Sequence, residues 1–267
     1  MIKGVLRGGQ YTPTEDALRE AALYGHLDGW PLLVVAAALR DWPKKRPSAS
    51  AIASVSWRQQ VLTAILDYYV RIEERYPLIR GSLVHSGFES FQAPEGVKLI
   101  REKRMRIVVP KLEDIVLSGQ IDLYYPEHRR IEDYKTCSSV PEYIKPNHMV
   151  QLAVYAWLLR WSGFEVEDAA INYVAWHECK HTQHVKNIDG SVVAARTHAL
   201  MTSEGTFLQH ILDAWEVMLA GFQDNVVPST QECDLRYCYR CPVKWACDQI
   251  DMRGETIIPD QFRQEDF

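Results

Sequence analysis

The chain is organised around the stretch Ser118-Gly-Gln-Ile-Asp-Leu-Tyr-Tyr-Pro-Glu-His-Arg-Arg-Ile-Glu-Asp-Tyr-Lys135. Two runs with strand composition flank the turn-forming Pro-Glu-His sequence, so the stretch predicts a β-hairpin. Alternate side chains of a strand share a face, so Asp133 and Lys135 project together, and Asp122 can join them across the hairpin. This grouping predicts a site in which the carboxylates hold a hard divalent cation and Lys135 positions or helps deprotonate an attacking water.

The composition is that of a globular protein with a full core. The chain has 267 residues, of which 47% are hydrophobic, and a formal net charge of -5. This acidity argues against wholesale coating of nucleic acid, but basic runs at residues 98–106 and 129–130 leave room for a local basic groove. The longest apolar run, residues 30–39, is too short to span a bilayer, and no signal peptide is recognised. We therefore expect a soluble, cytoplasmic protein with no membrane partner.

Helical and strand patterns alternate along the chain. A basic strand is predicted over residues 97–109, and for Glu102 within it a solvated ion pair is at least as good an interpretation as a catalytic role. The segment His177–His184 is interpreted as a hairpin tip rather than a metal site, because alternation would scatter its side chains between two faces. Helices are predicted from Pro13 to about Tyr24, from Ser48 to before Pro77, around His85 and Glu89, over Glu142–Trp161 and over Gly205–Phe222, and a buried strand over Ala169–Trp176.

Four of the six cysteines lie in one short segment near the C-terminus. In a cytosolic protein such clustering indicates ligation of a metal or cluster rather than disulfides. Zinc ribbons usually present two CxxC-like pairs, and this segment has only one pair with that spacing. The candidate ligands are Cys233, Cys238, Cys241 and Cys247.

Four short motifs occur in order along the chain: Arg80-Gly-Ser-Leu-Val-His85-Ser-Gly-Phe-Glu89, Gly119-Gln-Ile-Asp122, Asp133-Tyr-Lys-Thr136 and Gln151-Leu-Ala-Val-Tyr155. In this order they resemble the first to fourth motifs of the PD-(D/E)XK nuclease superfamily, in particular its RecB-like branch, which includes CRISPR-associated enzymes.

The resemblance implies an α/β fold of restriction-endonuclease type, with a central mixed sheet of about four or five strands flanked by helices. It implies a nuclease domain over residues 48–267, including the cysteine-rich segment 233–247, preceded by an N-terminal helical region over residues 1–47. It further implies metal-dependent hydrolysis of DNA, most simply by an exonuclease of phage or bacterial recombination, repair or CRISPR adaptation. The implied metal ligands for Mg²⁺ or Mn²⁺ are His85, Asp122, Asp133 and the Tyr134 carbonyl; Lys135 acts on the water, and Gln151 and Tyr155 orient the substrate or the lysine.

The C-terminal cysteines resemble the triplet of iron–sulfur nucleases of the same branch, in which a fourth cysteine comes from near the start of the domain. No cysteine precedes Cys137 here, and Ser56 stands about where that thiolate is expected. Cys233 is therefore the candidate fourth ligand of a 4Fe-4S cluster, with Zn²⁺ as the alternative occupant.

Two other functions are consistent with the sequence. One is a non-catalytic DNA-binding subunit that works with a helicase, an annealing protein or a CRISPR adaptation protein. The other is a zinc-bound interaction module in which the Asp-x-Lys sequence is fortuitous.

Overall fold

The computed structural model describes residues 1–40, 48–54, 56–109, 112–175, 179–186, 204–229, 238 and 241–253. The chain divides into two compact units. The first contains residues 1–46, 55–80 and 217–267, and the second contains residues 47–54 and 81–216. Each unit is thus assembled from segments that are distant in the sequence.

The described residues form ten strands and eight helices. In chain order they are β1 (Ile2–Arg7), β2 (Gln10–Pro13), α1 (Thr14–Tyr24), β3 (His26–Leu27), β4 (Trp30–Pro31), α2 (Leu32–Leu39), α3 (Ala49–Ile52), α4 (Trp57–Ile65), β5 (Tyr68–Val70), α5 (Ile72–Glu89), β6 (Ile100–Val109), β7 (Leu112–Tyr125), β8 (Arg130–Thr136), α6 (Pro146–Trp161), β9 (Asp168–Val174), β10 (Cys179–Lys186), α7 (Glu204–Asp224) and α8 (Lys244–Arg253).

The second unit is built on a five-stranded mixed sheet in the order β10-β9-β8-β7-β6. Strands β6, β7 and β8 are successively antiparallel, β8 and β9 are parallel, and β10 is antiparallel to β9. The parallel pair needs a crossover, which α6 supplies. The predicted hairpin is confirmed, with Tyr125 paired to Arg130 next to its turn. The prediction of an α/β fold with a mixed sheet flanked by helices is also confirmed.

Helix α6 packs closely against β7 because the strand carries a glycine there. A Cβ at Gly119 would lie 2.8 Å from a methyl group of Leu158 and 2.9 Å from the ring of Tyr155. Any larger residue would push the helix away from the sheet. The glycine three residues before Asp122 therefore sets the distance between α6 and the strand that carries the acid. The fully buried side chains of α6 include Val154, Leu158 and Leu159.

The first unit has its own three-stranded sheet in the order β2-β1-β5, in which β1 is antiparallel to β2 and parallel to β5. Helix α1 buries Ala17 and Ala21 completely. In the same unit, Gly221 of α7 lies against Val61 of α4, where an added Cβ would come within 2.4 Å of a valine methyl group. Among the described residues, no helix is long and apolar enough to cross a membrane.

The structure corrects several sequence-based boundaries. The single helix predicted from Ser48 to before Pro77 is wrong: α3 and α4 are followed by β5, and Pro77 lies inside α5. The reason is tertiary, because residues 68–70 pair with β1, a partner more than sixty positions away that no local periodicity reveals. Strands β1 and β2 were likewise not predicted. Helix α1 begins at Thr14, with Pro13 in the cap position, and residues 179–186 form strand β10 rather than a hairpin tip.

Candidate metal centre

The two hairpin acids and the lysine come together in the second unit. Asp133 is 1% exposed, and Lys135 places its Nζ 3.0 Å from Oδ1 and 2.8 Å from Oδ2 of that carboxylate. On the neighbouring strand, Oδ2 of Asp122 accepts a 2.8 Å hydrogen bond from the backbone N–H of Tyr134. The backbone between Asp133 and Lys135 is thereby fixed against the Asp122 carboxylate.

The ionisation of Asp122 is strongly perturbed. Burial and, second to it, the negative charge of Asp133 raise its pKa from 3.8 to about 7 against the opposing effects of His85 and Lys135. A buried acid whose pKa lies near 7 is typical of a functional site. Two buried carboxylates that repel each other add no stability to the fold. A cation placed between these acids would favour their ionised forms.

Helix α5 delivers His85 to the same acids. Its Nδ1 lies 3.0 Å from Oε1 of Glu102 and 3.6 Å from Oδ1 of Asp122. The hydrogen bond with Glu102 raises the pKa of His85, and burial opposes that rise. The second carboxylate oxygen of Glu102 accepts a 2.7 Å hydrogen bond from Nε2 of Gln120.

The predicted glutamine and tyrosine of α6 form a pair. Nε2 of Gln151 donates a 2.6 Å hydrogen bond to the hydroxyl of Tyr155. Burial raises the pKa of Tyr155 well above 10, and the charges of Asp133 and Asp122 raise it further, so the phenol stays protonated beside the acids. A neutral hydroxyl in that position can donate a hydrogen bond toward the acidic site.

A buried polar network holds β8 in place. Glu132 is 4% exposed and accepts hydrogen bonds from Asn172 at 2.8 Å and from the hydroxyl of Tyr134 at 3.1 Å, and it pairs with Arg130. Successive strand residues point to opposite faces, so these contacts do not compete with those of Asp133. They hold β8 in place, and so they set the direction in which the side chains of Asp133 and Lys135 point.

The donor atoms fit a divalent cation. Among the described residues, only His85, Glu102 and Asp122 bring three His, Cys, Asp or Glu ligand atoms within 4.8 Å of one another. Oδ2 of Asp133 is buried and accepts no hydrogen bond, although Lys135 neutralises the carboxylate as an ion pair. Imidazole and carboxylate together suit Mn²⁺, and carboxylate oxygens suit Mg²⁺.

The first unit holds the C-terminal cysteines. Cys238, Cys241 and Cys247 line one pocket together with Ser56 and Arg58. Arg58 is buried: its Nε donates to the sulfur of Cys247 at 3.1 Å, and its other nitrogens bond the carbonyl of Pro228 at 2.8 Å and Asp251 at 2.7 Å. Cys233, the fourth candidate ligand, lies outside the described residues.

Most of the site residues predicted from the sequence lie at two places, the acidic site of the second unit and the cysteine pocket of the first unit. The structure brings His85, Asp122, Asp133 and Lys135 into one site, with Gln151 and Tyr155 on the adjoining helix. Glu102 is the residue that the sequence analysis undervalued, because its side chain is only 8% exposed and contacts His85 directly. The sequence feature that could have identified it is that Glu102 is the one acid among the basic residues of β6. Its partners are apparent only from the strand register.

Comparison with known proteins identifies the class. The sequence model of the PD-(D/E)XK nuclease superfamily matches residues 23–248, so the chain belongs to this superfamily. No curated protein sequence matches it significantly.

The fold is shared with a solved structure. The crystal structure of SSO0001 superimposes with a TM-score of 0.53 at 14% identity, covering 88% of this chain and 94% of that one. A phage-related exonuclease from Haemophilus somnus 129PT is also similar, at 14% identity over 57% of this chain and 70% of that one, with a TM-score of 0.28. Membership of the superfamily and the similarity to SSO0001 define the mixed sheet and its flanking helices as a restriction-endonuclease-like fold. The superfamily is one of nucleases that use a divalent metal.

Proposed function

We propose that this chain is a Mg²⁺- or Mn²⁺-dependent deoxyribonuclease of the RecB-like branch that degrades DNA from its ends. The observation that carries the proposal is the convergence of His85, Asp122 and the Asp133–Lys135 pair on one sheet face, three of the four motif positions being in direct contact. The proposed ligands are His85, Asp122, Asp133 and the Tyr134 carbonyl. When bound, the cation supplies charge stabilisation for the scissile phosphate and the leaving oxygen.

The chain's own residues perform the remaining steps. Lys135 holds the attacking water in line through its ammonium group, and the buried Asp133 carboxylate fixes that ammonium within 3.0 Å. Tyr155, kept protonated by burial, donates a hydrogen bond toward the substrate or the lysine, and Gln151 holds its hydroxyl. Each of these side chains is held in position by its contact with another residue.

The edge strand of the sheet supports DNA as substrate. Strand β6 lies at one end of the five-stranded sheet. It exposes Arg104 and Arg106, which alternation along the strand places on the same face as Glu102. Lysine and arginine side chains of this kind neutralise phosphates without reading sequence. A duplex or single strand following β6 would reach the acids at Glu102 and Asp122.

We further propose that the cysteines hold a 4Fe-4S cluster rather than Zn²⁺. The support for a cluster is the spacing in the sequence: zinc ribbons usually present two CxxC-like pairs, and this segment has only one, at Cys238 and Cys241. A 4Fe-4S cluster takes four thiolates. Cys233 is the proposed fourth ligand, because Ser56 already caps α4 by accepting a hydrogen bond from Gln59.

One assay tests the nuclease proposal. End-labelled linear DNA and covalently closed circular DNA of the same sequence are incubated with the protein in Mg²⁺, in Mn²⁺ or in EDTA. We expect loss of the linear substrate only, in either metal, and no loss with Lys135→Ala. Cleavage of the circle would reject the exonuclease assignment, and tight DNA binding without cleavage would favour the non-catalytic subunit. A requirement for a helicase, annealing or CRISPR adaptation partner would appear as cleavage only after that partner is added.

A second experiment tests the cluster. Anaerobically purified protein should be brown, with a broad absorbance toward the blue end of the visible spectrum. Cys233→Ser should abolish the colour and Ser56→Ala should keep it, while the reverse would assign the fourth position to Ser56. A colourless protein that carries zinc would reject the cluster and leave the nuclease proposal standing.

A further inference from the structure

The backbone at Glu102 is unusual for a strand. Its φ is 43°, in the left-handed region that residues other than glycine rarely adopt. Such a conformation costs free energy and persists where the surrounding structure determines it, most often at functional sites. Here the unusual φ interrupts the ladder between Arg101 and Lys103, which are paired with Leu123 and Ile121.

Two carboxylates lie opposite each other at this interruption of the ladder. The register on both sides puts Glu102 directly across from Asp122. Their side chains are 8% and 9% exposed, so water screens their charges poorly. Like charges opposite each other on neighbouring strands destabilise a sheet. A shared cation would convert this repulsion into attraction.

Glu102 could orient His85 or bind the metal directly. The ring nitrogen of His85 that it contacts distinguishes these two roles. In many metal sites a carboxylate contacts one imidazole nitrogen while the other nitrogen binds the metal. In this chain the same atom, Nδ1, faces both Glu102 at 3.0 Å and Asp122 at 3.6 Å. A cation bound by Asp122 and Nδ1 would therefore lie on the side where Glu102 also presents its oxygen.

We propose that Glu102 is a direct ligand of a divalent cation held between β6 and β7 together with His85 and Asp122. The three ligand atoms lie within 4.8 Å of one another. Gln120 keeps the carboxylate turned toward this position by donating to its second oxygen at 2.7 Å. The inference rests on the proposed metal-dependent function and adds a ligand that none of the four sequence motifs contains.

The test uses Glu102→Gln, which preserves shape and an acceptor oxygen but removes the charge. Its matched control is Glu127→Gln, on the exposed turn between β7 and β8. Two quantities are measured on the full chain: the dissociation constant for Mn²⁺ by calorimetry, and the melting temperature in EDTA. We expect Mn²⁺ binding to weaken by about tenfold or more, because a charged ligand is lost, together with an unchanged or higher melting temperature, because the repulsion with Asp122 is relieved.

Each outcome decides the question. Unchanged Mn²⁺ affinity would overturn the inference, and if the melting temperature in EDTA also falls, Glu102 is a structural partner of His85. If Glu102→Gln does not fold, Glu102→Asp replaces it, because the shorter side chain keeps the charge but withdraws the ligand atom, and the same tenfold criterion applies. If the wild-type chain binds no Mn²⁺, the proposed function fails as well; if it binds and the variant binds equally, only the role of Glu102 is refuted.

Discussion

Replacing Asp122 by Asn should stabilise the metal-free protein at alkaline pH although it removes an acid of the proposed site. Burial and the charge of Asp133 raise the pKa of Asp122 from 3.8 to about 7. The folded chain therefore holds this proton more tightly than the unfolded chain. The resulting stabilisation is complete below pH 3.8 and is lost as the pH rises through about 7. Asparagine does not titrate, so it avoids this loss.

The magnitude follows from the size of the rise. At about 1.4 kcal/mol per pKa unit, a rise from 3.8 to about 7 corresponds to about 4 kcal/mol. Local relaxation around the ionised carboxylate reduces the cost, so we expect Asp122→Asn to gain about 2–4 kcal/mol at pH 8. For a chain of this size the gain is a rise in Tm of about 4–8 °C. The asparagine oxygen can still accept the hydrogen bond from Tyr134.

The assay is thermal unfolding by circular dichroism in EDTA at pH 5, 6, 7 and 8. The difference between variant and wild type should be largest at pH 8 and should shrink steadily toward pH 5. Asp224→Asn, at an exposed position of α7, serves as the matched control and should show no such trend. A variant that melts at or below the wild-type temperature at pH 8, or a difference that does not change with pH, would refute the reasoning.

Three further predictions concern the neighbouring residues. Lys135→Ala should abolish DNA cleavage and lower the Tm in EDTA, because it leaves the buried Asp133 carboxylate without its cation; full cleavage by the variant would remove Lys135 from the site. Tyr155→Phe should reduce cleavage with little change in Tm, since the ring packing stays and only the 2.6 Å hydrogen bond within α6 is lost; unchanged rates would make the tyrosine structural. Gly119→Ala should cost about 1–3 kcal/mol through overpacking against α6. Gly87→Ala, where an added Cβ meets nothing within 4 Å, should be neutral or mildly stabilising, and equal urea midpoints for the two glycine variants would contradict the close approach of α6.

The central hairpin could be predicted because its signals are local. Turn residues between two strand-like runs specify an antiparallel pair, and the two-residue period places Asp133 and Lys135 on one face. Helix α6 was predictable for the same reason, since its long apolar pattern is independent of its neighbours. The pairing of Gln151 with Tyr155 follows from helical spacing of four residues.

Longer-range features depend on contacts that the sequence does not display. Strand β5 forms because residues 68–70 find β1, and that pairing overrides a helical pattern across Ser48–Pro77. The grouping of Cys238, Cys241 and Cys247 was visible in the sequence, but their common pocket with Ser56 and Arg58 arises from packing between distant segments of the first unit.

Glu102 separates the two kinds of information most clearly. By itself the sequence determined that an acid lies among basic residues on a strand, a pattern that a solvated ion pair explains equally well. The tertiary structure decided its partners, because the β6–β7 register sets it opposite Asp122 and α5 brings His85 to within 3.0 Å. The physical reason is that a register is fixed by the burial of a whole sheet face rather than by any one residue, so no local pattern around Glu102 could have specified its partners.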